Sequence, residues 1–107
     1  MSEIDRIQQR YRERDGSRAL TGFWTLDNPV VLHLAQERER VAIAALARQT
    51  GVDLAGARLL DVGCGAGVEF SNYLRWGASS RNLVGVDLML PRLALARQRF
   101  DVPVANA

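Results

Sequence analysis

Lysine is absent from this sequence: all 14 basic residues are arginine, against 12 acidic ones, and the net charge is +2. So small an excess calls for no nucleic-acid partner, and the arginine bias reads as a base-composition habit of the coding genome. Cysteine occurs once, at Cys64, which excludes an intrachain disulfide and agrees with a reducing compartment. Long apolar runs are missing too. The longest, 41–47, is seven residues, where a membrane-spanning helix needs roughly 20. The N-terminus is rich in Arg and Glu and has no apolar signal-peptide core. Histidine appears once, at His33, with no second candidate ligand near it, so it reads as structural or solvated and no metal is expected. The expectation is a cytoplasmic protein with no membrane segment, whose 107 residues suffice for one core.

What is present is concentrated between positions 59 and 67. Leu59, Leu60, Asp61 and Val62 form a short apolar run of the kind found in a buried parallel strand. Gly63, Gly65 and Gly67 follow at once, spaced by Cys64 and Ala66, and a helical pattern begins after them. Glycine suits a backbone that must bend with positive φ or lie against a ligand without a Cβ in the way. The helix behind the turn directs N–H groups and a partial positive charge back towards it. The stretch therefore reads as a cradle for a nucleotide or a carboxylate. Two details narrow it. The dinucleotide fingerprint G-x-G-x-x-G needs a glycine at 68, where Val68 stands. Asp61, two residues before the first glycine, suits a cationic ligand better than a pyrophosphate.

The series Asp61-Val62-Gly63-Cys64-Gly65-Ala66-Gly67, followed by Leu83-Val84-Gly85-Val86-Asp87-Leu88, resembles the first two motifs of class I S-adenosylmethionine-dependent methyltransferases, in particular the small-molecule type 11 group. The resemblance spans residues 55–105 and implies the first half of a doubly wound, Rossmann-like α/β fold with a parallel sheet, preceded by N-terminal helices. It divides the chain into a helical lid or cap over 1–54 and a partial cofactor-binding domain over 55–107, which stops after its third strand. It also implies roles. The Gly63, Cys64, Gly65 and Gly67 turn receives the methionine part of S-adenosyl-L-methionine, its N–H groups facing the carboxylate. Asp61 takes the amino group, Asp87 accepts the ribose hydroxyls, and Leu88 and Met89 flank the adenine. Cys64 is a small filler in this motif. The partner implied is a small-molecule methyl acceptor, and its binding groups and any general base belong to later strands, so no catalytic residue is assigned. Two other functions stay open: a dinucleotide-binding oxidoreductase domain, and a non-catalytic split chain that needs a partner.

The remaining elements read in order. Ser2 with Asp5 marks a helix start, and Ile4, Ile7 and Tyr11 share one face up to Gly16. Arg6, Arg10 and Arg14 lie on one line that suits an anion, though Asp5 and Glu13 make it a solvated face. Phe23 and Trp24 anchor a loop. Asn28 and Pro29 open a long helix carrying Val30, Val31, Leu34, Val41, Ala42, Ala45 and Leu46 up to Gly51. The helix over 67–76 should bury Val68, Phe70, Tyr73 and Leu74 before Gly77. A second strand is expected over 83–87, then a helix from Pro91 to Phe100 with Leu93, Leu95 and Ala96 inward. A third strand should follow over 102–105. In a sheet of order 3-2-1-4-5-6 the first strand is central, so this half should leave an edge and apolar faces that invite self-association or a complementary chain.

Overall fold

The computed structural model describes residues 1–17, 25–49 and 53–107. The chain divides into two compact units, Met1–Thr50 and Gly51–Ala107. Phe23, Trp24 and Gly51, singled out in the sequence, lie outside the described residues.

The first unit carries two helices. Helix α1, Glu3–Asp15, starts with a reciprocal cap: the Ser2 hydroxyl accepts the Asp5 N–H at 3.1 Å and the Asp5 carboxylate accepts the Ser2 N–H at 3.0 Å. It ends at Gly16. Helix α2, Pro29–Ala47, is capped by Asn28, whose side-chain oxygen accepts the Val30 N–H at 3.1 Å. Its covered stripe is only in part the one expected. Val31, Ala35, Glu39, Ala42 and Leu46 are buried or half-buried, whereas Val30, Leu34 and Val41 are exposed. The apolar residues are spread around α2, so composition alone did not select its packed face. His33 stands exposed on it.

The second unit runs β1 (Leu59–Val62), α3 (Val68–Arg75), β2 (Leu83–Asp87), α4 (Leu90–Arg99) and β3 (Val104–Asn106). The three strands are parallel in the order β1-β2-β3, with Leu59 opposite Leu83 and Asp87 opposite Asn106. Two successive crossovers in one direction put both helices on one face of the sheet, as their common hand requires. Phe70 of α3 and Leu93 and Ala96 of α4 accordingly share one core with Leu83, Cys64 and Val102. Phe70, Leu83 and Leu93 are fully buried, and the Phe70 and Phe100 rings meet edge to face at 5.6 Å.

Three expectations change at this level. The strands are apolar on both faces, but within this unit only one face is covered: Leu60 is 64% exposed, Val62 75% and Val84 38%. Val68 and Leu95 are also exposed, because they lie on the outer side of helices whose inner side is taken by Phe70 and Leu93. The third strand begins two residues late. Pro103 precedes it and lacks an N–H, although its carbonyl already accepts the Gly85 N–H at 3.0 Å.

Candidate functional site

The carboxyl ends of the three strands bring together the glycine turn after β1, Asp87 at the end of β2 and Asn106 at the end of β3. In an open parallel sheet this is the edge where ligands bind. The turn needs its glycines for different reasons. Gly63 has φ +76, and nothing stands within 4 Å of where its Cβ would be. Gly67 has φ +84, and a Cβ there would lie 2.6 Å from Phe70. One therefore leaves open space at the mouth of the turn, and the other lets α3 close onto the core.

Asp87 is buried, and both of its carboxylate oxygens are held. One accepts the Gly65 N–H at 2.8 Å and the other the Met89 N–H at 2.7 Å. The aspartate at the end of β2 thus ties the glycine turn to the start of α4. Asn106 secures the same corner, its amide donating to the carbonyls of Asp87 and Leu88, each at 3.1 Å. The apolar pattern of the third strand stops at Ala105 and asparagine is a poor strand former, so the sequence does not single out Asn106. Its place at the C-terminal end of a strand beside Asp87 was the available signal.

Asp61 is in the opposite condition. Its Oδ2 is buried and has no hydrogen-bond partner among the described residues. Loss of solvent, with repulsion from Asp87 second, pushes its carboxyl above the ordinary aspartate range. A buried acceptor without a donor costs free energy that a cationic ligand would recover.

The other sequence candidates sort by burial. Cys64 points its thiol into the core, 2.7 Å from where a Cβ on Gly85 would be. Burial, then Asp61 and Asp87, push that thiol up, so it stays protonated and serves as packing. Met89 is buried, and Leu88 is half-buried beside it. The turn's N–H groups are mostly engaged by the protein itself. Gly63 and Cys64 donate to the Val86 carbonyl at 2.8 and 3.0 Å, and Gly67 donates to Cys64. Arg92, which the sequence did not single out, lies against the turn, its Nη1 3.6 Å from a Cβ position on Gly65. Among the described residues no group of His, Cys, Asp and Glu side chains is arranged to hold a metal, and no helix is long and apolar enough to cross a membrane. On α1, Arg6 pairs with Glu3, and the hollow beside Arg10 and Arg14 also includes Glu13, so this face is of mixed charge.

Order, direction and one-sided helices make the second unit the β1-α-β2-α-β3 part of a Rossmann-like α/β fold, with helices in the N-terminal unit. No protein-family model and no curated protein matches the chain. Among solved structures it is similar to an S-adenosylmethionine-dependent methyltransferase from Mesorhizobium loti. The identity is 31%, 60% of this chain and 29% of that one are covered, and the TM-score is 0.44. The match therefore spans less than a third of that protein's length.

Proposed function

We propose that this chain binds S-adenosyl-L-methionine and forms the cofactor-binding part of a methyltransferase acting on a small-molecule acceptor. The observation that carries the reading is the buried, unpartnered Oδ2 of Asp61, two residues before a glycine turn with open space at Gly63. That oxygen suits the ligand's ammonium group. Asp87 already accepts one N–H on each oxygen, and each oxygen keeps a second acceptor position for a ribose hydroxyl. Leu88 flanks the base, while Met89 is buried and acts by donating its backbone N–H to Asp87. When bound, S-adenosylmethionine supplies an activated methyl carbon. The residues named here would bind and orient it, which is the main demand of an in-line transfer. Gly63, Gly65 and Gly67 serve by shape, and Cys64 by packing.

Thermal melting of the purified chain tests the reading. S-adenosylhomocysteine should raise the melting temperature and NADH should leave it unchanged. The reverse result would replace the proposal with dinucleotide binding, which Val68 and the desolvated Asp61 oppose.

A further inference from the structure

Helix α2 carries more apolar surface than its covered stripe accounts for. Beside the stripe of Val31, Ala35, Glu39, Ala42 and Leu46 runs a second one, on which Val30, Leu34 and Val41 are 59%, 52% and 66% exposed and Ala45 is exposed in line with them. These four stand at steps of four, seven and four residues, so they share one side of the helix.

The residue types along this stripe are ordered about its midpoint, which falls between Glu37 and Arg38. At equal distances on either side stand Leu34 and Val41, then Val30 and Ala45. The charges follow the same order with opposite sign: Glu37 answers Arg38, and Asp27, before the helix, answers Arg48, at its end. All four are exposed. Two helix positions equidistant from a midpoint also lie at equal and opposite angles about it, so a two-fold axis through that midpoint sets each against the other in an antiparallel copy. Apolar then meets apolar, and acid meets base. A parallel copy in register would instead set Asp27, Glu37, Arg38 and Arg48 each against its own kind.

We propose that this stripe is a homodimer contact, in which α2 packs antiparallel on α2 of a second copy of the chain about a two-fold axis between Glu37 and Arg38. Within its own chain Glu37 pairs with Arg40, Asp27 accepts the Thr25 hydroxyl and Arg38 has an interaction of its own. Exposed ion pairs exchange at little cost, so the crossed charges set direction and register while Val30, Leu34 and Val41 supply the affinity. The contact is independent of the S-adenosylmethionine reading and of the bare face of the sheet.

Sedimentation equilibrium of the whole chain tests it, with circular dichroism to check the helix content of each variant. Wild type should dimerise. Leu34→Glu combined with Val41→Glu should raise the dissociation constant by about 100-fold or more, because a two-fold contact contains each change twice. Leu32→Glu combined with Ile43→Glu, exposed on the opposite side of α2, should leave it unchanged. Glu37→Arg and Arg38→Glu should each dimerise more weakly than wild type, and their mixture should form the heterodimer preferentially, since mixing restores both crossed pairs. A monomeric wild type overturns the proposal. So does a dimer that the Leu34 and Val41 changes leave intact, which would assign association to another surface such as the bare sheet face, and so does a mixture with no preference for the heterodimer. Should the Leu34 and Val41 changes cost the helix its fold, the two charge variants and their mixture decide the matter by themselves.

Discussion

Asp87 accepts two backbone N–H groups, while Asp61, on the neighbouring strand, keeps one oxygen buried with no partner among the described residues. Substitution by asparagine should separate them. Asp61 is pushed up by desolvation and by Asp87, so the folded chain holds its proton more tightly than the unfolded chain does. The sign follows: stability falls as pH rises from the ordinary aspartate range through the raised value. Asp61→Asn removes that slope, and its melting temperature at neutral pH should equal or exceed that of wild type. Asp87→Asn should do the reverse, because its NH₂ would face the N–H of Gly65 or Met89, at a cost of about 1–3 kcal/mol. Urea unfolding of the three proteins at mildly acid and neutral pH measures both effects. A less stable Asp61→Asn at neutral pH would mean that the Asp61 carboxylate is compensated. The sequence pointed to Asp61 because it lies two residues before the glycine turn, and to Asp87 because it ends the second strand. It could not show which was already satisfied, since the donors to Asp87 come from residues 22 positions away as well as from two.

At the level of elements, the bounds of β1 and β2 and the helix ends at Gly16 and before Gly77 were legible, being set by neighbours in the chain. Contacts across the sheet were not. Gly85 reads as an ordinary residue within a strand motif, yet a Cβ there would stand 2.5 Å from Phe70 and 2.7 Å from the Cys64 sulfur. Phe70 is fully buried and has no room to yield. Gly85→Ala should therefore destabilise the chain by about 1–3 kcal/mol through overpacking, although alanine fits a strand better than glycine does. Chemical denaturation checks this, and an unchanged or higher stability would show that the core relaxes around the extra carbon. The inward faces of α3 and α4 were half legible for the same reason. Spacing picked out Phe70, Leu93 and Ala96, but it also admitted Val68 and Leu95, which are exposed.

For the whole molecule, both crossovers place their helices on one face of the sheet, and within the α/β unit Leu60, Val62 and Val84 stay exposed on the other. Strand β1 pairs only with β2 among the described residues, so its second edge is open as well. Exposed apolar surface beside an open edge favours association. We expect concentration-dependent self-association in light scattering, and a monomer of constant mass across a wide concentration range would count against it. The sequence by itself determined the strand-turn-helix at residues 59–75, the second strand and the choice of Asp61 and Asp87. Those features depend on local steps: glycine's freedom at positive φ, apolar runs and the length of a strand. Only the tertiary structure decided that Asp87 braces the turn, that most of the turn's N–H groups are taken, that Arg92 lies against Gly65 and that the helices of the α/β unit cover one face of its sheet and not the other. These depend on which distant residues meet, and that is settled by strand order and by the hand of the crossovers.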